Sequence, residues 1–180
     1  MTPITVFALS VDYQESMESA AERSCLECVR RPDRLFCGLP IDALRDFDEL
    51  KSLAYYPRGA TLFSQGHVAR GIFVLCQGRA KLSVCAENGS QLTLRIVGPG
   101  EVLGLSAALV GGPHEMTAEL LDNAQVAVIK RKDLVEFLHQ HRDACLQVVG
   151  RLSQDLHFAY DRVRSVGLGQ SRRPRVARIH

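Results

Sequence analysis

Cysteine is the residue type in this chain with the most chemistry to offer. Cys25, Cys28 and Cys37 fall close together, with two residues between the first pair and eight before the third. Cys76, Cys85 and Cys145 are scattered further along. A Cys-x2-Cys pair can place two thiolates on one metal centre, and a third cysteine on a loop can complete a set without a fixed spacing. Metal binding, thiol redox sensing and plain burial as small apolar side chains all remain open at this point. Pro32 and Pro40 mark the stretch as a loop. The histidines offer less. A metalloenzyme of the cupin type needs a His-x-His pair with a nearby Glu, whereas His67 and His114 are isolated and sit in turn-like contexts. No enzyme is expected, and haem ligation by a lone histidine is not favoured.

The elements that must position these residues follow from pattern. The 180 residues suit one domain with chain left over for an arm or a helix; 46% hydrophobic and 23% charged residues read as globular. The apolar run Ile72–Cys76 is strand-sized, far short of the roughly 20 residues of a spanning helix. The apolar start from Ile4 to Leu9 has no basic flank, so no signal peptide is read, and a cytoplasmic location without membrane contact is expected. The net charge of +2 carries no nucleic-acid signature, although acids gather over 12–27 and arginines over 162–178.

Ile41, Leu44, Phe47, Leu50 and Leu53 recur at spacings of three and predict a helix over about 41–54. From Gly59 to about Lys130, short apolar runs are punctuated by glycine and predict strands. One hairpin can be argued in register. A three-residue loop, Glu87-Asn88-Gly89, pairs Val84 with Leu92, Leu82 with Leu94 and Ala80 with Ile96, with Gly89 at the left-handed position. That register puts Cys85 on the opposite, more polar face beside Lys81 and Ser83. A short helix over 132–139 turns Leu134, Phe137 and Leu138 inward. A long one follows over 142–166. Its positions Cys145, Val149, Leu152, Leu156, Ala159, Val163 and Val166 step by four and three, a heptad seam that predicts a two-stranded homodimer. Gly167-Leu-Gly169-Gln-Ser171 reads as a hinge.

This order of parts resembles the sensor half of the Crp/Fnr superfamily of bacterial transcription regulators. Pro57-Arg-Gly-Ala-Thr-Leu-Phe-Ser-Gln-Gly66, Gly71-Ile-Phe-Val-Leu-Cys-Gln-Gly78 and Gly98-Pro-Gly-Glu-Val-Leu-Gly104 carry the resemblance. It implies an α+β fold: a double-stranded β-helix or jelly-roll of the cyclic-nucleotide-binding type, with flanking helices and a long C-terminal dimerisation helix. The implied domains are a flexible arm (1–22), a cysteine-rich arm (23–40), the sensor β-roll with its short helices (41–141), the dimerisation helix (142–166), and a hinge with the start of a helix-turn-helix domain (167–180). Contact with DNA and RNA polymerase would run only through that helix-turn-helix domain, which lies outside this chain.

For cyclic AMP, the resemblance asks for a carboxylate on the ribose and an arginine on the phosphate. The corresponding positions hold Leu105 and Met116, so cyclic AMP is not expected. The cysteine arm resembles that of the oxygen-sensing branch and implies a [4Fe–4S] cluster on Cys25, Cys28 and Cys37, with redox, oxygen or nitric oxide as the signal. The fourth ligand of that branch falls at Ala127, and Cys85 is the first substitute. Zinc, or no metal with structural or redox cysteines, stands as the alternative. So does a same-fold regulator that binds an unidentified small ligand, or a dimeric module without DNA binding.

Overall fold

A computed structural model describes residues 24–26 and 35–169, with side chains to residue 165. Helix α1 spans Ile41–Leu50 and starts at Pro40, whose missing N–H costs nothing at a helix start. It buries Ala43, Leu44 and Phe47. The helix ends four residues before the periodicity predicts. Leu53 belongs instead to strand β1, Ser52–Tyr56. Strands β2 (Thr61–Phe63), β3 (Gly71–Gln77), β4 (Ala80–Cys85), β5 (Gln91–Val97) and β6 (Val102–Leu103) follow. A short helix α2 covers Leu105–Val110; then come β7 (Thr117–Leu120) and β8 (Ala124–Lys130). Helices α3 (Arg131–Gln140) and α4 (Arg142–Gly169) complete the order; α4 is helical through Gly167 to Gly169, and the rest of the expected hinge lies outside the described residues. One glycine weakens a helix by about 1 kcal/mol relative to alanine, which is not enough to break it.

The α+β class holds, but the jelly-roll does not. The strands form two separate four-stranded antiparallel sheets, ordered β1-β8-β3-β6 and β2-β7-β4-β5. Each sheet keeps two edges, and among the described strands no ladder joins one sheet to the other. The result is neither a closed barrel nor a single curled sheet. The corners explain this. At Gly78 (φ 86°) the chain leaves β3 for the other sheet, and a Cβ there would stand 2.9 Å from the Asn123 carbonyl and from the Ala124 Cβ. Gly98-Pro99-Gly100 makes the return from β5 to β6. Turns this tight end the ladder instead of bending it.

The alternation of β3 and β8 builds two cores. Ile72 and Val74, with Ala127 and Ile129, face α1, α3 and the first turns of α4, packing with Leu44, Phe47, Leu134, Phe137, Ala144 and Val148. Leu75, Ala124 and Val126 face the second sheet, packing with Phe63, Leu82, Leu103, Ala118 and Leu120. Central strands buried on both faces need a continuous apolar run, which is why Ile72–Cys76 reads as it does. Phe36 stacks on Phe47 at 4.6 Å between ring centroids, and Phe47 meets Phe137 at 5.4 Å.

The β4–β5 hairpin is half as expected. Val84 pairs with Leu92, and Gly89 takes φ 82° in the three-residue loop. A bulge between Leu82 and Ser83 then shifts the register, pairing Leu82 with Arg95 and Ala80 with Val97. The bulge also turns Ser83 inward, where its hydroxyl accepts a bond from Gln91 Nε2 at 2.8 Å.

Candidate functional site

The site begins with two loops zipped together at one end of the space between the sheets. The His114 amide donates to the His67 carbonyl (2.9 Å), Gly66 to the His114 carbonyl (2.8 Å), and Ala69 to the Gly112 carbonyl (2.9 Å). Val68 bridges Pro113. This lays the His114 ring flat on Phe63, with centroids 4.0 Å apart and planes 16° apart. Gly104, at φ 76°, makes room for the ring: a Cβ there would stand 2.9 Å from His114 Cε1. His114 is only 5% exposed, and its Nδ1 has no hydrogen-bond partner among the described residues. Burial holds its pKa below the ordinary histidine value; Glu115 opposes this and His67 adds to it. The ring is therefore neutral near pH 7, with one hydrogen-bonding atom unused.

Phe63 and His114 stand between two cavities and line both. The inner one holds about 80 Å³ and has Leu82, Leu105, Met116, Arg95 and Asp155 in its walls. Leu105 and Met116, far apart in role but expected at one site, do meet here. The outer one holds about 710 Å³.

An ion-pair chain leads from the inner cavity to α4. Arg95 lies 3.7 Å from Glu101, Arg151 Nη2 donates to Glu101 Oε2 at 2.5 Å, and Arg151 Nε lies 3.3 Å from Asp155. Arg162 Nη2 donates to the Leu94 carbonyl at 2.7 Å, which ties α4 directly to β5. With Arg95 facing Glu101 and Met116 apolar, the inner cavity offers a phosphate no dedicated cation.

The α4 seam divides. Ala144 and Val148 are buried in the first core, and Leu152 packs at its edge. Cys145, Val149 (58% exposed), Leu156 (50%), Ala159 and Val163 (70%) face outward; the Val166 side chain lies outside the described residues. The expected seam is thus an uncovered face in a single chain, except where Leu152 turns in.

The arm cysteines meet a different environment. Cys25 sits half-buried against the first core, where its amide donates to Asp48 Oδ1 at 2.6 Å. Lys51 Nζ donates to Cys25 Sγ at 3.3 Å and pairs with Asp48. Burial, partly offset by Lys51, pushes the Cys25 thiol up to about 11. Burial alone would raise Asp48 as well, but the bonds from Lys51 and the Cys25 amide outweigh it and hold the carboxyl below its ordinary value. Cys37 lies in the turn before α1, half-buried, and Cys28 lies outside the described residues. Cys85 is exposed at the end of β4, in the other sheet, where its amide donates to Gln65 Oε1 at 2.7 Å. It is not brought to Cys25. Among the described residues no three His, Cys, Asp or Glu side chains gather to hold a metal. In this arrangement the thiol is protonated at neutral pH and accepts a hydrogen bond from Lys51.

Sequence reasoning set His114 aside as an isolated histidine and gave no role to Phe63, Asp48 or Lys51. Only Gly111-Gly112-Pro113 hinted at a loop before His114.

Residues 53–141 match the cyclic nucleotide-binding domain family. Among curated proteins, the chain is 25% identical over 85 residues to the cyclic AMP receptor protein of Thermus thermophilus, covering 47% of this chain and 39% of that one. It is 21% identical over 122 residues to a CRP-like cAMP-activated global transcriptional regulator of Mycobacterium tuberculosis, covering 68% and 54%. The chain thus spans about half the length, or less, of these curated relatives. Among solved structures, the Thermus thermophilus catabolite activator protein superposes with a TM-score of 0.68 at 21% identity, covering 74% of this chain and 62% of that one. The sensor domain of the transcriptional regulator DNR from Pseudomonas aeruginosa gives 0.61 at 20%, covering 83% and 95%. These relatives are regulators, in keeping with a chain that is not an enzyme. No helix among the described residues is long and apolar enough to cross a membrane. The matched segment, the two sheets and the long helix behind them give this chain the fold of the cyclic nucleotide-binding domain family, to which its residues 53–141 are similar.

Proposed function

We propose that this chain is the sensory and dimerisation module of a cytoplasmic Crp/Fnr-type transcription regulator, and that it reads a small ligand other than cyclic AMP between its sheets. The observation that carries this reading is the chain Arg95–Glu101–Arg151–Asp155. It joins the wall of the inner cavity to the helix whose outer face is apolar. A ligand that moves Arg95 or Glu101 changes the grip on Arg151, and with it the angle at which two copies of α4 pack. A helix-turn-helix domain attached after Gly169 would follow that angle onto DNA and RNA polymerase. Leu105 and Met116 in place of a carboxylate and an arginine argue against cyclic AMP. Cys25 acts as a structural thiol in this reading, and no step runs through an iron–sulfur cluster or zinc.

The homodimer is the testable part. Val149, Leu156 and Val163 would be left wet in a monomer, and each large side chain is worth about 1.5–3 kcal/mol on full burial, before association costs. Light scattering of the wild-type chain at micromolar concentration is expected to give a dimer, and Leu152→Glu with Leu156→Glu a monomer. A monomeric wild type, or a dimeric double variant, overturns the reading.

A further inference from the structure

The outer cavity lies on the far side of the Phe63–His114 pair from the chain of ion pairs, and the proposed function makes no use of it. Its volume of about 710 Å³ falls within the range of small-molecule sites. Its walls are apolar: Phe73 and Val128, cross-strand partners on β3 and β8, stand opposite Leu62 and Phe63 of β2. All four belong to the inter-sheet core, yet Phe73, Val128 and Leu62 stay only partly buried because the space beside them is open.

The rim has the opposite character. His67, Arg70 and Lys130 line the cavity and are exposed, and no Asp or Glu lines it. Among the described residues, neither Arg70 nor Lys130 enters an ion pair. Elsewhere the chain pairs its cations readily, as Arg79 with Asp122 and Lys81 with Glu119. Two unpaired cations and a histidine around an apolar hole favour a ligand with one anionic end and a hydrocarbon body. A fully polar anion would leave Phe73 and Val128 unsatisfied, and a neutral hydrocarbon would ignore the rim.

We infer that the outer cavity is a binding site for an amphipathic organic anion, an acyl or aryl carboxylate. Its carboxylate meets Arg70 and Lys130, and its body packs against Phe73 and Val128 up to the His114 ring.

Titration calorimetry of the 180-residue chain with octanoate tests this, with octanol as the neutral counterpart. Octanoate is expected to bind saturably, and octanol about tenfold more weakly or worse. Arg70→Ala with Lys130→Ala is expected to bring octanoate down to the octanol level. Val128→Phe, which fills the cavity, is expected to abolish binding of both. Both variants should keep the wild-type oligomeric mass and a cooperative melt; the surface double variant keeps the test valid if Val128→Phe does not fold. Absence of saturable octanoate binding, equal affinity for octanol, or octanoate binding indifferent to the Arg70 and Lys130 substitutions overturns the inference. The dimer reading stands or falls separately, on light scattering.

Discussion

Two buried polar places in this molecule are built on opposite terms. Around Cys25, every strong group has a partner: Asp48 accepts from the Cys25 amide, the Ser24 hydroxyl and Lys51, and Lys51 also donates to the thiol. Around His114, the backbone is fully tied down but the side chain keeps Nδ1 unpaired in an apolar wall. A satisfied network fixes one arrangement and adds rigidity. An unsatisfied buried atom costs stability, typically about 1–3 kcal/mol, and invites a partner. The cysteine corner fastens residues 24–26 onto α1, whereas the histidine end keeps one polar atom unpaired among the described residues.

The comparison breaks first at Asp48. Asp48→Ala leaves Lys51 in a largely buried position without its counter-charge and strips the Cys25 amide of its acceptor. A loss of about 2–4 kcal/mol is expected from denaturant unfolding. A loss below about 1 kcal/mol would make the corner an ordinary surface ion pair.

Gly104→Ala probes the other place. The left-handed backbone costs alanine about 1–2 kcal/mol, and the new Cβ presses on the His114 ring. Gly89→Ala is the control, because its φ of 82° is similar while nothing lies within 4 Å of the added Cβ. Gly104→Ala is expected to cost about 1 kcal/mol more than Gly89→Ala. Equal costs would mean that the ring moves aside freely.

His114→Phe keeps the stack on Phe63 and removes the unpaired atom. Stability at pH 7–8 is expected to rise by about 1–3 kcal/mol, the cost of the unpaired atom. The sign of the pH effect follows from burial. A histidine held below its ordinary value of 6.5 gives up stability as pH falls below 6.5, because the unfolded chain takes the proton more readily. Acid unfolding curves of His114→Phe should therefore show a smaller loss between pH 6.5 and 5 than the wild type.

The smallest effect concerns Cys25. With its thiol raised from 9.0 to about 11, the folded chain holds this proton longer than the unfolded one. Its contribution to stability is complete below pH 9 and is lost as pH rises towards 11. Cys25→Ala should flatten the unfolding profile over that window and leave pH 7 little changed. Alkylation of Cys25, followed by mass spectrometry, should speed up across the same interval.

The strand-rich region from Gly59 to Lys130, the helices on either side of it and the three-residue hairpin loop were legible in the sequence because each is governed by contacts a few residues apart. The apolar run of β3, the heptad steps of α4 and the left-handed Gly89 are of that kind. The fate of Leu53 was not legible: a spacing of three continues past Leu50, but pairing of β1 with β8 claims the residue for a strand. Nor was the bulge at Leu82–Ser83, which moves the hairpin register by one while β4 pairs with β7 in unbroken register. The separation into two sheets depended on corners whose direction a glycine permits but does not specify. The site was decided entirely by tertiary structure. Phe63 and His114 are 51 positions apart, Glu101 and Arg151 are 50, and Cys25 and Lys51 are 26. Spacing in a sequence constrains which residues share a face of one element. Which faces meet, and whether a buried nitrogen finds a partner there, is fixed only when distant segments pack.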